Sequence, residues 1–522
     1  MTLLSAASSS SSSGSSGSPE SADTIDDFDP RTGQRIATVA DQGPDEVAAA
    51  VERARAAFEA WRPLSFAQRR EHVLSVRDLL LDRLDGLVEV ITSETGKLPA
   101  EAIFTEIMTG CETIAYYARH GEKALRPRKV GAGLMSHKVA VRHYEPLGVV
   151  GVISPWNYPF ILALTPVVTA VLAGNAVVLK PSEVTPLVGQ AIGELFAEVG
   201  DHPDLVQVVT GGGATGEALV RSGVAKICFT GSARTGKRVM AAAADTLTPV
   251  LLELGGKDPM IVCADADLDR AASGAVWGAF QNSGQTCMSV ERVYVDEAVY
   301  EPFVERVVTR TRAIRQGVAA GDDIGSMTFP PQIDTVERHV ADALEHGARA
   351  LTGGRRLEGR DGLWYEPTVL VDVDHDMAVM RDETFGPVLP IMAVSGPDQA
   401  LALANDSSYG LNSSVWTGDP DQGAALAAGL EAGNVCVNDV IVSYGVPALP
   451  FGGVKESGIG RVHGPEGLHE FSQVKSVLTD RFGLPRELWW FPSPKPLGPI
   501  GARLLRLRHR RGLSHKLRAL LP

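Results

Sequence analysis

Two residues of this chain lie where a side chain can be reactive rather than merely buried. Cys287 closes the run Ser283-Gly284-Gln285-Thr286-Cys287, a glycine-bearing polar loop after a helical stretch at 271–280. The other cysteines, Cys111, Cys228, Cys263 and Cys436, sit in apolar runs or on a helix, the usual setting of an inert buried thiol. Cys287 is therefore the candidate nucleophile. Glu253, in Leu252-Glu253-Leu254-Gly255-Gly256-Lys257, lies between leucines at a strand end, just before a glycine pair. Partial desolvation there raises a carboxyl toward the range of a useful base.

Three segments could hold an anionic ligand. Gly211, Gly213 and Gly216 form a literal GxGxxG after the strand candidate 205–209, but no Asp or Glu stands about twenty residues further on to meet a ribose. That spacing reads as a glycine-rich turn. Phe229-Thr230-Gly231-Ser232-Ala233-Arg234-Thr235-Gly236 is better placed, between a strand at 227–229 and a helix at 237–243. Gly231 allows a tight turn, Ser232 can cap the helix, and the helix N-terminus favours a phosphate. Lys180-Pro181-Ser182-Glu183 closes another strand, and its Lys and Glu would suit two ribose hydroxyls.

The elements that must position these groups alternate. Apolar runs at 149–153, 176–179, 205–209, 227–229 and 249–254 are separated by helical stretches, which implies a mostly parallel sheet covered on both faces. A second α/β region runs from about 255 to 452, with strand candidates at 292–295, 366–370 and 434–437. Ahead of both, Val47, Val51, Ala54, Phe58 and Trp61 recur at helical spacing. The 34 residues from 146 to 179 carry no charge, but Pro155, Pro159, Pro166, Gly174 and Asn175 interrupt them. They read as strand, loop, buried helix and strand rather than as a membrane span.

Length and composition set the outer limits. With 522 residues, 44% apolar and 21% charged, the chain is globular, of two large or about three smaller domains. An odd number of cysteines without CxxC or His/Cys metal spacing implies a reducing compartment and no metal site. The N-terminus lacks the pattern of a secretory signal, so a cytoplasmic protein is expected. Ten of the fourteen residues from 5 to 18 are Ser, and 1–22 is expected to be disordered. The net charge of −14 argues against nucleic acid. That charge is uneven: residues 488–522 hold eight Lys/Arg and no Asp/Glu. Leu513, Leu517, Leu520 and Leu521 could line one face of a membrane-surface helix there.

Taken in order, Pro155-Trp156-Asn157, Lys180-Pro181-Ser182-Glu183, Phe229-Thr230-Gly231-Ser232, Leu252-Glu253-Leu254-Gly255-Gly256, Gly284-Gln285-Thr286-Cys287, Glu383-Thr384-Phe385-Gly386-Pro387 and Pro450-Phe451-Gly452-Gly453 resemble the aldehyde dehydrogenase superfamily over about 23–480. The resemblance implies that Cys287 attacks an aldehyde carbonyl, passing through a thiohemiacetal and a thioester. It implies that Asn157 and the Cys287 backbone N–H form the oxyanion hole, and that Glu253 activates water. NAD, with NADP as the option, would be held by Ser154, Pro155, Trp156, Asn157, Lys180, Glu183, Gly212, Phe229, Gly231, Ser232, Thr235, Leu254, Glu383 and Phe385. The implied architecture is α/β. A Rossmann-like cofactor domain would span 23–127 and 147–254, with a catalytic domain at 255–467. A β element at 128–146 and 468–482, with a strand near 470–475, would join subunits into homodimers or homotetramers. Residues 483–522 lie outside this pattern as a basic tail, with peripheral membrane contact as one reading and a solvated tail, or one packed on a neighbouring subunit, as the other.

Three functional readings stand beside one another. The first is oxidation of an aldehyde to a free acid; the segments around 144–148 and 464–468 look most like bacterial succinate-semialdehyde dehydrogenases. A distal carboxylate would need a cation; Arg292 is the one near Cys287 in sequence, in a strand candidate that could also face it elsewhere. The rival substrate is a long-chain or aromatic aldehyde, which would fit a membrane-directed tail. Transfer of the acyl group to coenzyme A needs no water-activating carboxylate, so Glu253 argues against it. A catalytically silent homologue is the reading from another class, and intact Cys287, Glu253 and Asn157 argue against that.

Overall fold

The computed structural model describes residues 23–487, 489–492 and 497–512. The expectations for residues 1–22 and for the leucines from Leu513 onward lie outside them. The chain divides into two units, Met1–Arg126 with Tyr144–Gln473, and Pro127–His143 with Val474–Pro522.

The first unit is α/β, as the alternation of apolar runs predicts. One sheet has the order Gly458–Ile459, Val250–Glu253, Lys226–Thr230, Val149–Ile153, Ala176–Lys180, Val206–Val208. Its strands are parallel except the short Gly458–Ile459, which pairs antiparallel with Val250–Glu253. The second sheet has the order Arg349–Thr352, Thr368–Val371, Val388–Val394, Val290–Asp296, Asp258–Val262, Asn412–Trp416, Asn434–Val437. It is parallel except for Arg349–Thr352. Strands buried on both faces need no polar alternate residues, which is why they read as continuous apolar runs.

The uncharged stretch resolves into strand Val149–Ile153, helix Ile161–Ala173 and strand Ala176–Lys180. The helix is almost wholly buried and ends at Gly174, whose φ of 100° only glycine adopts cheaply. Among the described residues no helix is long and apolar enough to cross a membrane. Helix Pro44–Trp61 buries Val47, Val51, Ala54 and Trp61, as its periodicity predicts, and Trp61 Nε1 donates to the Val171 carbonyl at 3.0 Å.

Several boundaries differ from expectation: the helix expected at 237–243 starts at Ala233, and the strand expected at 366–370 is Thr368–Val371. The segment expected as a strand at 470–475 begins as the end of helix Gly464–Glu470, and the strand is Ser472–Asp480. Pro465 in the first turn favours the helix locally, outweighing the alternation that follows it. A three-stranded sheet, ordered Ser472–Asp480, Lys138–Pro146, Arg128–Val130, the last two antiparallel, has most of its residues in the second unit.

Candidate active site

The first sheet creates a crevice by its connectivity alone. From Val149–Ile153 the chain steps outward to Ala176–Lys180 and Val206–Val208, then returns to the other side for Lys226–Thr230. At such a reversal the loops leave the carboxyl ends of adjacent strands in opposite directions and open a cleft. Ile153 stands opposite both Lys180 and Phe229 in register. Ser154-Pro155-Trp156-Asn157, Lys180–Glu183 and Gly231-Ser232 therefore emerge at one edge.

These residues fit a nicotinamide dinucleotide. Helix Ala233–Ala244 has 12 residues, no acid in its first turn, and Ser232 as its cap, with Oγ accepting from Thr235 N–H at 3.3 Å. Its N-terminus is thus positive and open to a pyrophosphate. Lys180 is buried, and burial lowers its pKa; its Nζ meets Glu183 at 3.3 Å while Glu183 stays half-exposed. Glu383 Oε1 accepts the Gly256 N–H at 3.0 Å, and burial, with Glu291 adding to it, lifts Glu383 to about 8. The Trp156 ring lies edge-on to Phe385, centroids 5.4 Å apart. The Glu383–Phe385 segment is held by Glu291, which accepts the N–H groups of Thr384 at 2.8 Å and Phe385 at 2.7 Å. Gly212, which begins helix Gly213–Arg221, donates its N–H to Asp41 at 3.1 Å, and Asp41 in turn acts on the Lys180 charge.

Cys287 follows a loop fixed from several sides. Asn282 and Ser283 take left-handed φ of 50° and 54°, a conformation costing of order 1–3 kcal/mol each. The surroundings impose it. Asn282 N–H donates to Glu101 at 2.8 Å, Ser283 Oγ to the Gly325 carbonyl at 2.9 Å, and Thr328 N–H to Gln285 Oε1 at 2.8 Å. At Gly284 a Cβ would lie 2.1 Å from the Gly386 carbonyl oxygen, so glycine is required. Burial pushes the Cys287 thiol up, and Asp258, Glu383 and Glu253 add to the effect, while its own backbone N–H opposes it.

The Asn157 loop rests on a buried ion pair that sequence reasoning missed. Asn157 Nδ2 donates to the Gln285 carbonyl at 2.9 Å, which joins this loop to the Cys287 loop and leaves its second N–H to give. The Asn157 carbonyl accepts from Lys97 Nζ at 3.0 Å and from Asn282 Nδ2 at 3.0 Å. Lys97 pairs with Glu106 at 2.5 Å, both fully buried, and lies 4.2 Å over the Tyr158 ring. Glu106 also accepts the N–H groups of Phe160 and Ile161, at the start of helix Ile161–Ala173. Nothing in local spacing marks Lys97 or Glu106; only their burial does. Lys97→Met leaves Glu106 uncompensated, and we expect a loss of about 3–5 kcal/mol of stability. Lys97→Met/Glu106→Gln should recover part of it. Thermal unfolding of both variants checks this, and an unchanged transition in the single variant would refute it.

Glu253 and Cys287 line one cavity of about 480 Å³. Glu253 is buried, and neither carboxylate oxygen has a hydrogen-bond partner. Burial, with Glu470 adding and Arg461 opposing, lifts its carboxyl well above the ordinary range. Among the described residues the remaining lining is largely apolar, with Phe104, Ile161, Leu162, Trp277, Tyr444 and Phe451 in it and no Lys, Arg or His. Helix turns at Ala102–Met108 are π-helical, which thrusts Phe104 outward at the cavity. Arg292, the cation nearest Cys287 in sequence, is not in the cavity. It is buried and donates to the carbonyls of Lys257, Leu403 and Ala404 at 2.7–3.0 Å.

The profile of the aldehyde dehydrogenase family matches residues 18–477. The chain is 47% identical over 443 residues to 4,4'-diapolycopene aldehyde oxidase of Methylomonas sp, covering 84% of this chain and 83% of that protein. It is 40% identical to a Mycolicibacterium smegmatis protein provisionally named a succinate-semialdehyde dehydrogenase, NADP(+), covering 86% and 87%. The Mycobacterium tuberculosis aldehyde dehydrogenase complexed with NAD+ superposes with a TM-score of 0.84 at 36% identity, covering 88% and 95%. A dinucleotide crevice beside a cavity that holds a thiol and a buried carboxyl, matched along nearly the whole chain, places this protein in the aldehyde dehydrogenase family, oxidoreductases that act on aldehydes with NAD(P).

Proposed function

We propose that the chain oxidises an aldehyde with a long apolar body to its carboxylic acid. The carrying observation is the cavity: about 480 Å³, within the usual range of ligand sites, with Glu253 the sole charged residue among its described lining. The relative named 4,4'-diapolycopene aldehyde oxidase supports the same class, since a polyene aldehyde is apolar along its length. Succinate semialdehyde is the second reading, favoured by the name of the Mycolicibacterium smegmatis relative. Its distal carboxylate would enter this lining without a cation.

In this reading the Cys287 thiolate attacks the carbonyl carbon, forming a thiohemiacetal. The oxyanion is met by the second Asn157 side-chain N–H and the Cys287 backbone N–H, each such donor worth about 3–4 kcal/mol. NAD(P), when bound, supplies the hydride acceptor that takes the intermediate to a thioester. Glu253 then takes a proton from water, the water oxygen bonds to the acyl carbon, and the Cys287 sulfur leaves with the acid released. We read 23–127 with 147–254 as the part that binds cofactor and 255–467 as the part that supplies the thiol.

The test is a series of straight-chain aldehydes set against succinate semialdehyde. Each added methylene buried is worth about 0.8 kcal/mol, so kcat/KM should rise about fourfold per carbon until the cavity is full. Succinate semialdehyde should be poorer than an apolar aldehyde of equal length. A preference for succinate semialdehyde would overturn the apolar assignment.

Cofactor choice turns on Glu183. Its half-exposed carboxylate can accept from a ribose 2′-hydroxyl and would repel a 2′-phosphate, which favours NAD. We expect Glu183→Ser to raise kcat/KM with NADP about tenfold relative to NAD. A wild type that strongly prefers NADP would show that this carboxylate does not face the ribose.

A further inference from the structure

The basic segment lies outside the catalytic reading and has a chemistry of its own. Helix Leu497–His509 buries none of its residues. Leu497, Ile500, Leu504 and Leu507 follow a three-and-four spacing along one face, Arg503 and Arg506 flank it on one side and Arg508 on the other, and Arg510 follows the helix. Leu504 is 56% exposed and Leu505 64%. Ahead of the helix, Trp490 is 52% exposed and Phe491 93%. These aromatics are held out rather than loose. Glu487 is buried and ion-paired with Lys138 and His137, and Arg486 donates to the Pro492 carbonyl at 3.1 Å. Among the described residues nothing takes up the side chains of Arg503, Arg506, Arg508, Arg510 or Arg511.

We propose that this segment docks the protein on the surface of an anionic lipid bilayer. Three layers of chemistry match. The Ile500 and Leu504 face suits the acyl boundary, Trp489 and Trp490 suit the headgroup interface, and the unpaired arginines suit lipid phosphates. Charge complementarity is local: residues 488–522 are wholly basic in a chain whose net charge is −14. A helix of 13 residues is about 20 Å long, too short to span a bilayer, so it lies on the surface. The proposal does not depend on which aldehyde the site takes.

The test is flotation of the full-length protein with phosphatidylcholine vesicles, with and without phosphatidylglycerol. Binding is expected to the anionic vesicles and to weaken as salt rises. Each arginine at such a surface contributes about fivefold, so Arg503→Gln/Arg506→Gln/Arg510→Gln should bind on the order of 100-fold more weakly. Ile500→Ser/Leu504→Ser should weaken binding about tenfold or more, which a bare polyanion site would not show. Both variants should oxidise a short water-soluble aldehyde as the wild type does, which shows that they are folded. Failure to float with anionic vesicles overturns the proposal. So does a variant pair that floats like wild type, or an apolar-face variant whose oligomeric state changes while its vesicle binding does not; that last result would assign the face to a second copy of this chain.

Discussion

Cys287→Ser should lose aldehyde oxidation on the order of 10⁴-fold or more, while cofactor binding stays near wild type. A serine hydroxyl is almost never ionised near neutrality, and the loop presents one nucleophilic position to the cavity. The loop itself should survive the change. Its geometry is set by Asn282, Ser283, Gly284 and Gln285, through bonds to Glu101, Gly325, Asn157 and Thr328, none of which uses the sulfur. Turnover is read from formation of the reduced cofactor, and binding from quenching of tryptophan fluorescence. Turnover within about tenfold of wild type in the folded variant would remove Cys287 from its role. Cys228 lines the same cavity, but it is a buried residue of strand Lys226–Thr230 and not of the loop that carries the Cys287 backbone N–H, so it should not substitute.

Glu253→Gln should separate the two halves of the reaction. The variant keeps the side chain's shape and loses its basicity. We expect a rapid burst of about one reduced cofactor per site, followed by a steady state about 10²–10⁴-fold slower as the thioester accumulates. Mass spectrometry should find the acyl group on Cys287. The pH dependence carries a second signature. Glu253 must be ionised to take a proton from water, and burial raises its pKa above the ordinary carboxyl range. Wild-type kcat, where deacylation limits it, should therefore rise with pH through that raised pKa, and the rise should be missing in Glu253→Gln. A variant with unchanged steady-state turnover and the same pH limb would defeat the assignment.

Wherever a function depends on one short segment, the amino-acid order already spoke. Cys287 stood apart, by its polar loop, from three apolar-flanked cysteines and from Cys111 on a helix. Ser232 announced a helix cap, and the structure has it accepting from Thr235. The glycine-rich turn at 211–216 was read as a turn, and its Gly212 N–H is given to Asp41. Such features are local, because caps, tight turns and strand burial depend on residues a few positions apart. The α/β class followed for the same reason, since strands buried on both faces leave apolar runs between helical stretches.

What needed the fold were meetings between distant residues. Lys97, between two helices, and Glu106 carry no local signal; tertiary packing drained the water from around them and turned them to Phe160, Ile161 and Asn157. Arg292 reads as a cation near the nucleophile, yet the strand Val290–Asp296 carries it to backbone carbonyls and away from the cavity. The character of the cavity is decided the same way. Its walls come from Phe104, Trp277, Tyr444 and Phe451, which are hundreds of residues apart in part and share no pattern in the chain. Sequence order therefore determined which groups can react and which segments are strands, helices and caps, because those depend on neighbours within a turn or two. Only the tertiary structure decided which charges are buried, which are paired and what the reactive thiol faces, because desolvation and contact are properties of the packed whole.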